Sequence, residues 1–321
     1  MPEMAIEQDI NLVTLGDLQI MDHKDINGRE IASTILEEVR ENTVGLSEMG
    51  WAPRLISIMI GDIQEVHLYV RNQRRQAERC DILFEERLFD ANVSQPEILA
   101  AIQSMNVDPR VTGIILQRPI PEHLSIKALQ EAVHPLKDVE GMHPTSIGRI
   151  VYNETELGPC TAIAAIELLK STGQKIEGLE VTVIGHSEIV GKPIAFLLMA
   201  EGATVTVCHH MTRSISVHAR SADAVFVAVG KPGLIIGDMI KPGSVLIDIG
   251  INQIENADGT TSVVGDADYD SCSKIAGWIT PVPGGVGPVT VSILMRNAIT
   301  ATQRQKAHYE ALLGQSMGTI T

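Results

Sequence analysis

Two hydrophobic rhythms alternate along the chain. Short apolar runs that stop at glycine or in a polar turn mark buried strands. They fall at Arg54–Gly61, Ile82–Leu88 and Gly113–Gln117 in the first half, and at Glu180–Gly185, Ala203–Cys208, Ala224–Gly230 and Ser244–Gly250 in the second. Between them, apolar residues recur at amphipathic-helix spacing over Arg29–Arg40, Glu65–Cys80, Gln95–Met105, Thr161–Ser171 and Lys192–Glu201, with a final helix over Val289–Leu313. Strands alternating with helices predict parallel sheets, and the alternation occurs twice. The predicted fold class is α/β, with two α/β domains, the second a Rossmann-like dinucleotide-binding domain. The predicted boundaries are an N-terminal extension at 1–24, a first domain at 25–160 and a second at 161–295. A C-terminal helix at 296–321 is expected to pack back on the first.

Composition narrows the class. The 321 residues suffice for about two domains, and 44% are hydrophobic, enough for sizeable cores. Aromatics at 3% and a net charge of −15 disfavour nucleic acid and anionic membranes as partners. An anionic small ligand needs only a local basic patch. Cys80, Cys160, Cys208 and Cys272 lack CxxC spacing, which predicts reduced thiols and no metal site. Neither a signal-peptide pattern nor a membrane-length apolar stretch stands out, so the expectation is a cytoplasmic enzyme.

One segment breaks both rhythms. Pro281–Pro288 holds three prolines and three glycines in eight residues, so it is predicted to be neither helix nor strand interior. It reads either as a pocket wall against a flat ligand or as a tight crossover between domains. Gly185-His-Ser-Glu-Ile-Val-Gly191-Lys-Pro lies between a strand and a helix, where a dinucleotide turn belongs, with Ser187 at the middle glycine position. An ordinary βα turn is the alternative. The next strand ends in Val207-Cys-His-His-Met-Thr-Arg213, without an acid to hold a ribose hydroxyl. His209, His210 and Arg213, joined by His186, suit a 2′-phosphate, with a pH-dependent grip; unliganded surface histidines are the alternative. In the first half, Tyr69 and Gln73 share a helix face. Gln117 ends a strand before Arg118-Pro119, and Asp138 and Glu140 flank Val139 in a turn. Singly each reads as structural. Together they ring the carboxyl edge of the first sheet.

In this order the pieces resemble the methylenetetrahydrofolate dehydrogenase/cyclohydrolase family. The likeness runs from about Ile26 to about Thr300. It rests on Tyr69-Val-Arg-Asn, Gln117-Arg-Pro-Ile-Pro, Lys137-Asp-Val-Glu-Gly, Gly158-Pro-Cys-Thr, Val183–Pro193, Val229-Gly-Lys-Pro-Gly, Ile240–Asn252, Gly265-Asp-Ala-Asp and the Pro–Gly run. It implies a cleft between the domains, a homodimer through the second, a tetrahydrofolate substrate, hydride transfer to NADP or NAD, and hydrolysis of the methenyl cation. It implies that Tyr69 stacks on the folate, that Gln117 holds the neighbouring catalytic group, and that Glu140 stands at the pterin anchor. Pro119, Pro281, Gly284 and Gly285 would line the folate pocket. The cofactor would meet Thr161, Gly185, His186, Ser187, Ile189, His210, Arg213, Ile251 and Thr290.

Several positions depart from that family. Gln73 stands in place of a lysine, Glu140 of an aspartate, Val66 of a small hydroxyl residue, His186 of an arginine and His210 of a serine. Glutamine hydrogen-bonds but does not titrate. Hydrolysis needs a water deprotonated and a ring nitrogen protonated, so it is expected to lose roughly a hundred- to ten-thousand-fold. Hydride transfer depends chiefly on aligning two planar rings and is expected to survive. The reading is NADP-linked (NAD second) oxidation of 5,10-methylenetetrahydrofolate, with cyclohydrolase activity reduced or lost. The alternatives are a folate-dependent one-carbon transferase and a non-catalytic folate or nucleotide binder.

Overall fold

The computed structural model describes residues 24–256 and 259–318, so the predicted extension lies outside the described residues except for Lys24. The first half comprises β1 (Lys24–Asp25), α1 (Gly28–Glu48), β2 (Arg54–Ile60), α2 (Gln64–Arg79), β3 (Leu83–Phe89), α3 (Gln95–Val107) and β4 (Gly113–Leu116). Two short helices, α4 (Ile126–Ala132) and α5 (Pro144–Val151), precede α6 (Cys160–Ser171). The second half continues through β5 (Glu180–Ile184), α7 (Gly191–Ala200), β6 (Thr204–Cys208), α8 (Ile215–Ala219), β7 (Ala224–Val227) and β8 (Val245–Asp248). An antiparallel hairpin of β9 (Asn252–Glu255) and β10 (Thr261–Val264), then α9 (Tyr269–Cys272), β11 (Trp278–Ile279) and α10 (Val286–Gly318), complete it.

Two parallel sheets result, ordered β3-β2-β4 and β1-β11-β8-β7-β5-β6. Strands covered on both faces read as continuous apolar runs. In β2, Ile56, Ile58 and Ile60 pack with Ile98 and Ile102 of α3, while Met59 on the other face meets Val66 and Val70 of α2. In the larger sheet, Val181, Val183 and Phe226 face α6 and α7, and Ile184, Val225 and Val227 face α8 and α9. Each such fully buried side chain stabilises the fold by roughly 1.5–3 kcal/mol.

The long α10 runs beside α1 and α6 and also meets α2 and β4. Two of its amides bind loops of the first half. Asn297 Nδ2 donates to the carbonyls of Val139 (2.9 Å) and Gly158 (3.1 Å), and Gln305 Nε2 to those of Thr112 (2.8 Å) and Leu136 (3.0 Å).

Three features differ from the sequence expectation. Val286-Gly-Pro288, predicted to be non-helical, forms the first turn of α10. N–H groups there have no intrahelical acceptor, so proline costs nothing. Lys24 and Asp25 bear no period, yet they pair with β11 and so extend the second sheet, not the first. The helices α4, α5 and α8 and the β9–β10 hairpin are too short to carry a readable pattern.

Candidate functional site

The stripe Val66, Val70, Gln73, Ala77 is the inward face of α2, so Gln73 is aimed into the protein and is only 2% exposed. Gln117 follows β4, next to β2, and Ser57 lies on the β2 face under α2. These three polar groups meet. Gln117 Nε2 donates to Gln73 Oε1 at 2.7 Å and to Ser57 Oγ at 3.0 Å. The Gln73 carbonyl is therefore used internally, which leaves its NH2 for the Tyr69 hydroxyl. Tyr69 is 43% exposed as a residue, but its hydroxyl is turned into the cleft. Burial there, then Cys160 and Glu140, push its pKa up, and the Gln73 contact partly offsets them.

Glu140 closes the other side. Its Oε2 accepts from the Leu116 N–H at 2.8 Å. Burial raises its pKa to about 7, against the pull of the Leu116 bond and Arg118. Its neighbours in the motif are structural. Asp138 accepts from the N–H groups of Met142 (3.0 Å) and His143 (2.8 Å) and from Ser146 Oγ (2.7 Å), which sets the start of α5. Lys137 Nζ donates to the Met105 and Asp108 carbonyls, both at 2.7 Å, and burial lowers its pKa to about 8.

Tyr69, Gln73, Gln117 and Glu140 line one cavity of about 200 Å³, together with Cys160, Thr161, Ile189 and Thr290. It lies between the two halves. A second cavity of about 290 Å³ adjoins it, sharing Tyr69, Thr161 and Thr290, and adds Ile251 and the run Pro281–Pro288. The run is thus a pocket wall. Its position depends on a backbone contact that admits no side chain: a Cβ on Gly28 would lie 1.8 Å from the Gly285 carbonyl oxygen. Arg29, next to that contact, is the one cation lining this pocket among the described residues.

The second sheet switches direction between β5 and β7, where ligands of doubly wound sheets bind. Gly185 ends β5 with φ +119°, and a Cβ there would strike the Ala228 carbonyl oxygen at 2.3 Å. Gly191, opening α7, packs on the Gly185 carbonyl just as closely. Those two contacts explain the spacing of the motif. Ser187 Oγ is already engaged, accepting from the N–H groups of Val190 (3.2 Å) and Gly191 (3.4 Å). At the adjoining strand ends, the His186 ring stacks on His209 with centroids 4.7 Å apart, and His210 lies 6.2 Å from His186. Among the described residues no group of His, Cys, Asp and Glu is arranged to hold a metal ion. The N-terminus of α7 beside the imidazoles favours an anionic ligand.

Pro119 and Arg213 line neither of these cavities. Pro119 is exposed, and Arg118 lines the cavity in its stead. Arg213 is exposed three residues beyond His210 and makes no ion pair among the described residues. Conversely, Cys160 and Met142 line the cavity although the sequence reading does not name them as site residues. Cys160 was legible only as part of Gly-Pro-Cys-Thr, which opens α6.

Comparison with known proteins agrees with this geometry. Residues 26–140 match the catalytic domain, and 159–306 the NAD(P)-binding domain, of the tetrahydrofolate dehydrogenase/cyclohydrolase family. The chain is 61% identical over 293 residues to bifunctional protein FolD 2 of Mesorhizobium japonicum, covering 91% of this chain and 96% of that one. It is 59% identical over 288 residues to bifunctional protein FolD 3 of Roseobacter denitrificans, covering 90% and 98%. Among solved structures it is similar to the Trypanosoma brucei methylenetetrahydrofolate dehydrogenase-cyclohydrolase complexed with NADP and an inhibitor. There the TM-score is 0.83 at 36% identity, covering 88% of this chain and 98% of that one. The chain belongs to the tetrahydrofolate dehydrogenase/cyclohydrolase family.

Proposed function

We propose that this member of the family oxidises 5,10-methylenetetrahydrofolate to 5,10-methenyltetrahydrofolate with NADP, and that hydrolysis of the methenyl product is slow or absent. The observation that carries the second part is the 2.7 Å bond from Gln117 to Gln73. It fixes a neutral amide, with its carbonyl already used, where acid–base chemistry on the one-carbon unit requires a group that titrates. Membership of the family favours oxidation over transfer of the carbon to a third molecule.

In this reading the pterin lies between Tyr69 and the Pro–Gly wall. Tyr69 offers a ring face and holds the substrate parallel to the nicotinamide, a proximity effect. Glu140 accepts hydrogen bonds from the pterin N–H groups when ionised, so folate affinity should weaken as pH falls below about 7. The bound nucleotide would accept the hydride. His186, His209 and His210 hold its 2′-phosphate, and the turn at Gly185–Gly191 lets the backbone approach its diphosphate. Product formation leaves a cation, and no lysine ammonium stands at position 73 to oppose it.

The test is kinetic. Purified protein given methylenetetrahydrofolate and NADP should accumulate the methenyl species, followed by its near-ultraviolet absorbance. Rapid onward conversion to formyltetrahydrofolate would sink the hydrolytic part, and no turnover with either nucleotide would sink the whole.

A further inference from the structure

A third cleft opens beside Tyr69, towards solvent. It encloses about 650 Å³ and is walled by Leu68, Tyr69, Arg71, Asn72 and Arg75 of α2 and by Gln253 of β9. Leu68, Arg71, Asn72 and Arg75 recur at the spacing of one helix face, distinct from the stripe Val66, Val70, Gln73, Ala77 that packs inward. Packing therefore does not explain the two arginines. Arg74, next in the run, is held by Glu86. Arg71 and Arg75 have no carboxylate partner among the described residues, and Arg75 makes only a long bond, 3.3 Å, to Asn72 Oδ1. On a chain of net charge −15, two uncompensated guanidinium groups in one cleft are a local reversal of sign.

Tyr69 is the residue this cleft shares with both cavities of the candidate site. A folate laid against Tyr69 ends in a glutamate, whose γ-carboxyl can carry further glutamates by amide links, each adding a free carboxylate. We propose that Arg71 and Arg75 form a subsite for the oligo-γ-glutamate tail of the folate substrate, reached past Tyr69. This rests on the folate reading above. Four residues of helix set the two side chains about 6 Å apart along the axis, a spacing that neighbouring carboxylates of an extended γ-glutamyl chain can span. Guanidinium groups take carboxylates in bidentate fashion. Both arginines are exposed, so each contact contributes modestly: together roughly three- to thirtyfold in affinity at low salt, lost as salt screens it.

The competing reader of the tail is Arg29, which lines the Pro–Gly pocket. Tetrahydrofolate monoglutamate and pentaglutamate are titrated calorimetrically into the wild type, an Arg71→Gln/Arg75→Gln variant and an Arg29→Gln variant, with thermal melting to confirm that each is folded. The wild type should bind the pentaglutamate roughly three- to thirtyfold more tightly than the monoglutamate. That ratio should fall toward one in the double variant and in high salt, and should persist in Arg29→Gln. Equal wild-type affinities, or a ratio that survives the double variant or vanishes with Arg29→Gln, overturn the tail subsite and leave the folate reading standing. If neither ligand binds, the folate reading itself falls, and the subsite with it.

Discussion

The two edges of the cleft handle charge in opposite ways. On the edge proposed for folate Gln73, Gln117 and Ser57 are neutral, buried and satisfied by one another. Glu140, the carboxylate that lines the same cavity, has its pKa pushed by burial to about 7. On the edge proposed for the cofactor His186 and His210 are exposed and His209 half-buried, with no carboxylate holding them among the described residues. The contrast teaches where each kind of recognition works. A desolvated site can align a flat neutral ligand by rigid hydrogen bonds, because low dielectric makes them strong and their loss costly. An open site recognises an anion by charge, which solvent and protons modulate.

The largest test makes the folate edge titratable. Gln73→Lys should raise methenyl hydrolysis roughly a hundred- to ten-thousand-fold, read as loss of the methenyl absorbance. Hydrolysis as slow as in the wild type would mean that position 73 is not what limits it. A second test concerns Glu140. Its folded-state pKa lies above the ordinary carboxylate value, so its contribution to stability is full at low pH and lost as pH rises through about 7. Urea denaturation of the ligand-free protein should therefore show a loss of at most a few kcal/mol between about pH 5 and 8. Glu140→Gln, which can still accept from Leu116, should flatten that slope; an identical slope in the variant would assign it to other groups.

Gln117→Leu tests rigidity without charge. It leaves Ser57 and the Gln73 carbonyl unpartnered, and should cost roughly 1–3 kcal/mol of stability. It should also lower the dehydrogenase kcat, by releasing Gln73 against Tyr69. Full activity would show that alignment does not depend on the amide pair. The smallest effect belongs to the open edge. His186→Ala with His210→Ala should reduce the preference for NADP over NAD roughly three- to tenfold, a change on the order of 1 kcal/mol. A preference unchanged in that variant would remove the imidazoles from phosphate recognition.

Much of this was legible in the chain and some was not. The strands and long helices carry strong patterns because both faces of each sheet are covered, so β2, β5, β7 and β8 read as nearly continuous apolar runs. The two-residue β1 and the hairpin β9–β10 carry no pattern of their own, since pairing partners far along the chain create them. The start of α5 depends on Asp138 gathering three donors, which no propensity of Pro144–Val151 reveals. The Pro–Gly run is half legible. Its composition marks a constrained segment, wall or crossover, but its last three residues enter α10 because the proline rule relaxes in a first turn. At the site, family likeness marks Gln73 as a departure, yet the bond that uses its carbonyl spans 44 residues of chain.

By itself the sequence determined the α/β class, the two alternations, the family, and the chemical capacity of each position: an amide at 73, a carboxylate at 140, imidazoles at 186, 209 and 210. Only the tertiary structure decided how those capacities are used. Gln73 is locked by Gln117, the three imidazoles meet from two strand ends, and Arg71 and Arg75 stand beside Tyr69 without a carboxylate partner among the described residues. The physical reason is that residue identity sets what a side chain can donate, accept or ionise. Its partner and its dielectric come from distant segments, brought there by packing.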